Sequence, residues 1–200
     1  MHAHYRQLAI LSVVCLVLSA CAARQHTRPA STPISLAGWQ SETFPLPPSF
    51  APGLPTGTES LRFAPGWRDP KSENFWSYAF VLWIDEPAPD AARTDQLLEQ
   101  YYDGLMAAFA EGKPLTPAHV EVTRTAPHIF HARMHLTDAF ATFKPIDLRL
   151  VIESRQEAPS RSTLRIQISP QPSTHPIWPS LDAAIASILA QDVARPTQPD

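Results

Sequence analysis

Glycine is scarce, six in 200 residues, and no glycine-rich phosphate loop, G-x-S-x-G elbow or H-E-x-x-H pair occurs. Without them the chain carries none of the usual sequence signals for phosphoryl transfer, serine hydrolysis or zinc peptidase chemistry. Positive charge is short as well. Sixteen Lys and Arg face 19 Asp and Glu, a formal charge of −3, which provides no basic patch for nucleic acid. No apolar run reaches the roughly 20 residues that a membrane-spanning helix needs; LAILSVVCLVL, Leu8 to Leu18, falls well below it. Cysteine occurs only at positions 15 and 21, so one disulfide is the most the chain could form.

What is present describes one globular domain with irregular margins. Hydrophobic residues make up 44% and charged residues 18%, the profile of a chain that buries a core. Prolines number 22. Each lacks a backbone donor and fixes φ, so they must collect in linkers, sheet edges and turns around a compact middle.

The N-terminus has the layout of an export signal, with Arg6 in a short leading region and Leu8 to Leu18 as an apolar core of suitable length. Leu18-Ser19-Ala20-Cys21 resembles the lipobox of bacterial lipoproteins. The resemblance covers about the first two dozen residues. It implies cleavage before Cys21, acylation of its thiol and a membrane as partner, each buried CH₂ contributing about 0.8 kcal/mol to attachment. Cys15 would leave with the signal, and the mature chain would hold neither a disulfide nor a cysteine nucleophile. The resemblance further implies a place in the cell envelope, and Ala22, not aspartate, after the cysteine points to the outer membrane, facing the periplasm. A signal peptide cut near Ala20 or Ala23 and an uncleaved anchor are the competing readings.

These features divide the chain into a signal over 1–20, a proline-rich linker or packing segment over 21–58, a single α+β domain over 59–191 and a disordered tail over 192–200. Within the second segment, residues 22–37 are expected to be disordered. Trp39, Phe44, Leu46, Phe50 and Leu54 are too apolar for a spacer and should lie against the domain.

The domain begins with ESLRF, a short strand. Phe75 to Asp85 follows, a strand with large apolar residues of both parities and therefore central and covered on both faces. One face can take helices and the other the proline-rich segment. Asp90 to Gly112 is the clearest helix, capped by Asp90, with Leu97, Leu98, Tyr101, Leu105, Ala108 and Phe109 in one stripe. Four strands, Val120 to Arg124, Ile129 to Thr137, Ile146 to Glu153 and Thr163 to Ser169, and a helix over Leu181 to Gln191 capped by Ser180 complete the order ββαββββα. The expected architecture is α+β, a mainly antiparallel sheet of about five to six strands with two helices on one face.

PHIFHARMH, residues 127 to 135, is the segment that could hold a metal. As a helix it would align His128, His131, His135 and Asp138 on one face as a zinc set. As a strand it separates His131 from His135 by about 13 Å and gives His128 the opposite parity. Ile129, Phe130 and the alternating strands that follow favour the strand, so no metal, cofactor or catalytic residue is expected here. The wet face of that strand, where His131 and His135 stand with Arg133, Arg149 and Arg165, could instead accept an anionic ligand or partner; a merely solvated face is the alternative.

The second candidate is the loop before the central strand, where Trp67, Arg68, Asp69 and Glu73 could grip a carboxylate or a sugar ring. Asp and Asn turn hydrogen bonds closing that loop on itself are the alternative. The expected function is a lipid-anchored, non-enzymatic domain that binds an envelope protein or a small ligand. A periplasmic hydrolase of unrecognised type and a purely structural envelope component are the other readings.

Overall fold

The computed structural model describes residues 34–193. The expected signal segment, Cys21 and the tail beyond residue 193 lie outside them. The described chain is α+β: seven strands form one open antiparallel sheet in the order β1-β2-β3-β7-β6-β5-β4, with two helices. The elements are β1 (Gln40–Leu46), β2 (Gly57–Phe63), β3 (Tyr78–Ile84), α1 (Ala91–Phe109), β4 (His119–Ala126), β5 (Ile129–Thr137), β6 (Pro145–Ala158), β7 (Arg161–Ser169) and α2 (Ile177–Val193).

Two expectations are corrected. The sheet gains a strand, because Gln40–Leu46 pairs residue for residue with β2, from Gln40 opposite Phe63 to Leu46 opposite Gly57. β1 is an edge strand, and an edge tolerates Pro45 because one side of its backbone needs no ladder partner. The helices also lie on opposite faces, not on one. Tyr78, Phe80, Leu82 and Ile84 pack with Leu97, Leu98, Tyr101 and Tyr102 of α1, whereas Ala79 and Val81, of the other parity, pack with Leu181, Ala184, Ile185 and Ile188 of α2.

β3 is thus central and covered on both sides, as its two apolar parities require. Large rings on one face leave room for the long α1; alanine and valine on the other let α2 approach closely. The proline-rich segment divides between the faces, with Leu36 and Trp39 on the α2 side and Leu46, Ala51 and Leu54 on the α1 side.

Helix starts follow local chemistry. Asp90 caps α1 by accepting the Arg93 amide at 2.8 Å. α2 begins before the expected Ser180 cap. His175 Nδ1 accepts the Ile177 amide at 3.2 Å, and Pro179 falls in the first turn, where its missing N–H costs nothing. Both cores and every described element fall in the compact unit that begins at Ile34, so that segment carries its own core and its own backbone hydrogen bonding. No helix among the described residues is long and apolar enough to cross a membrane.

Candidate functional site

The β2–β3 connection is built by successive tight turns. Asp69 Oδ1 accepts the Lys71 amide at 2.9 Å, Ser72 Oγ accepts the Asn74 amide at 3.1 Å, and Asn74 Nδ2 donates to the Pro65 carbonyl at 3.1 Å. Gly66 takes φ +80, and a Cβ there would come within 2.5 Å of Ser72 Oγ. The Trp76 amide then donates to the Trp67 carbonyl at 2.8 Å and closes the loop. The loop therefore closes on itself, and by doing so it fixes Trp67 and Arg68.

Trp67 stacks on Phe63, with centroids 4.4 Å apart, and meets Phe140 edge-on at 5.4 Å. Arg68 lies over three rings from separate parts of the chain: Phe140 at 5.1 Å, Trp67 at 5.3 Å and Phe109 at 5.7 Å. Phe140 is held there by Asp138, which is fully buried and accepts the Phe140 amide at 3.0 Å and the Thr142 amide at 2.8 Å. Beneath these groups an open groove of about 290 Å³ runs between α1 and the β1–β3 end of the sheet. Phe44, Phe50, Leu61, Phe63, Tyr78, Tyr101 and Leu105 also line it, with Glu42 on its β1 side.

The groove's floor is sealed by buried polar pairs. The Tyr101 hydroxyl donates to Glu59 Oε1 at 3.0 Å, and the Tyr78 and Tyr102 hydroxyls are 2.7 Å apart. Glu59 is fully buried, its Oε2 has no partner, and burial pushes its carboxyl up to about 8, Glu42 adding to the rise and the Tyr101 bond opposing it. The three tyrosines are raised above the usual phenol range by burial. Burial thus favours the neutral acid form of Glu59, which is enclosed beneath the groove and hydrogen-bonded, among the described residues, to Tyr101 alone.

The sequence candidates separate into two places. Trp67 and Arg68 border the groove, while Asp69 builds the loop and Glu73 contributes its carbonyl to Gln171 Nε2 at 2.7 Å. His131 and Arg133 lie on the opposite face of the sheet, in a shallow concavity of about 550 Å³ beside α2. His135 stands on that same face and pairs with Asp147 at 2.8 Å. His128 sits in the β4–β5 turn at φ 65. Among the described residues no group of three or more His, Cys, Asp or Glu converges as a metal site.

Sequence reasoning missed most of the groove. Phe109, expected in the core stripe of α1, is 42% exposed, one of the two large apolar side chains most open to solvent among the described residues. An aromatic at the last turn of a helix, just before Gly112, was the available signal, since the core stripe has run past the sheet by then. No family model, no curated protein and no solved structure matches this chain.

Proposed function

We propose that the chain is a lipid-anchored envelope protein whose domain binds, without chemical conversion, a small and largely apolar or aromatic molecule in the groove beside α1. The single observation behind this reading is the set of partly exposed rings that border one open groove, Trp67, Phe140 and Phe109 in edge contact at its rim, with Phe44 and Phe50. Such rings cost free energy in contact with water, roughly 25 cal/mol per Å² of apolar surface, and a domain with no use for the groove would close it. Binding sites for small molecules are concave and mainly apolar, with few polar groups. Arg68 and Glu42 are those groups here. The envelope location rests on the likeness of Leu18-Ser19-Ala20-Cys21 to a lipobox.

A titration of residues 34–200 with anilinonaphthalene sulfonate, an aromatic fluorescent probe, tests the groove. One saturable site per chain is expected. Leu105→Trp, which fills the groove, should weaken that site at least tenfold, while Ala186→Trp on the exposed side of α2 should leave it intact. Non-saturable binding, or equal binding by the Leu105→Trp protein, would exclude this reading.

A further inference from the structure

On the face of the sheet away from the groove, several cations are held by carboxylates, and the buried Arg62 is held instead by the Leu61 carbonyl and Gln191. Arg165 Nη1 lies 2.9 Å from Glu153, and Arg155 Nε donates to the same carboxylate at 2.6 Å. His135 lies 2.8 Å from Asp147. Arg133 on β5 and Arg149 on β6 differ: they stand directly opposite each other in register, on one face. Among the described residues neither forms an ion pair.

Three carboxylates stand close by and are engaged elsewhere. Glu121, opposite Arg133 on β4, lies 3.7 Å from His119; Asp147 holds His135; Asp182 accepts the Gln167 amide. Like charges directly opposite across an antiparallel pair destabilise the sheet. The Arg133–Arg149 pair therefore carries a repulsion that a bound anion would remove.

Both arginines border the 550 Å³ concavity, together with His131 and Gln167 on the sheet and Trp178 on α2. We propose that Arg133 and Arg149 form a binding site for a phosphate-type oxyanion, separate from the aromatic groove. The class follows from the donor count. One guanidinium fork already saturates a planar carboxylate, whereas a tetrahedral phosphate offers oxygens to two forks, with a charge of about −1 as a diester and near −2 as a monoester. His131 borders the same hollow and can donate to a remaining oxygen, whereas Gln167 already donates to Asp182, which lines the hollow with Glu121.

Thermal unfolding of residues 34–200 in phosphate and in chloride, at pH 7.5 and matched ionic strength, tests this site. Phosphate is expected to raise the wild-type Tm by roughly 2–4 °C at concentrations well above Kd. Arg133→Gln and Arg149→Gln should each lose that rise while melting no lower than wild type in chloride, because the repulsion goes with the charge. Glycerophosphoglycerol, a soluble phosphodiester, separates the sources. A rise with the diester as well assigns a lipid headgroup phosphate, and a rise with inorganic phosphate alone assigns a free phosphate or monoester; either supports the site. Equal Tm in phosphate and chloride, or a phosphate rise that survives in the double variant, would overturn the proposal.

Discussion

Tyr101 on α1 donates a 3.0 Å hydrogen bond to Glu59 on β2, and this is the only partner the buried carboxyl has among the described residues. The pair ties α1 to the sheet beneath the groove and makes stability depend on pH. The unfolded Glu59 ionises near 4.5 and the folded one near 8. The folded state therefore holds the extra proton between those values. The contribution is most favourable below pH 4.5, declines as pH rises, by up to about 1.4 kcal/mol per unit, and levels off above about 8. Glu59→Gln keeps the shape of the neutral acid and cannot ionise, so its stability relative to wild type should increase from pH 5 to pH 8. Urea midpoints at pH 5, 6.5 and 8 measure it. An offset that stays constant across that range would show that Glu59 ionises freely in the fold.

Phe80 and Arg68 separate core from site. Phe80 is 1% exposed at the middle of β3, opposite Leu61 on β2 and Ile166 on β7. Phe80→Ala should cost about 3 to 5 kcal/mol, a large share of a domain's stability. Arg68 is exposed and held by ring contacts, and Arg68→Ala should cost about 1 kcal/mol or less. Denaturant midpoints of the two variants give both values, and a severe loss in Arg68→Ala would identify it as a structural clamp.

Local order along the chain was largely legible, because strand and helix periods depend on neighbours in sequence. β5 has the expected bounds, Ile129–Thr137, since its alternation is uninterrupted, and Asp90 caps α1 as its position before the apolar stripe suggests. β1 was hidden by composition. Pro45, Pro47 and Pro48 resemble a spacer, and only the free edge of β2 makes Gln40–Leu46 a strand. The side taken by α2 was equally hidden, because both parities of β3 are apolar and only their size distinguishes the faces. Trp67 and Arg68 were visible as a polar and aromatic cluster, but the rings that complete their site come from positions 109 and 140, and no local pattern links those to a loop at 67.

Membrane attachment is expected to depend on one sulfur. If the lipobox likeness is functional, Cys21→Ala should abolish incorporation of radiolabelled palmitate and move the protein from the membrane fraction to the soluble one. Equal labelling of the variant would remove the lipobox from the account of this chain. The groove and the Arg133–Arg149 pair would be unaffected, because both belong to residues 34–193.

Gly104 gives a test in which two effects of opposite sign compete. It lies within α1, where alanine is the better helix former by about 1 kcal/mol. A Cβ at 104 would, however, lie 2.0 Å from the Phe50 carbonyl oxygen and 2.8 Å from its carbon, an overlap with backbone that no side-chain rotation relieves. Either α1 or the Phe50 segment must move, and overpacking of this kind typically costs 1 to 3 kcal/mol or more. Gly104→Ala should therefore destabilise the domain despite its higher helix propensity. Because Phe50 lines the groove and meets Tyr101 edge-on at 5.3 Å, the displacement should also weaken probe binding. Unfolding midpoints and the probe titration on this one variant read both consequences. A Gly104→Ala protein more stable than wild type would mean that the Phe50 segment does not pass this close to the helix, and the groove would lose one of its walls.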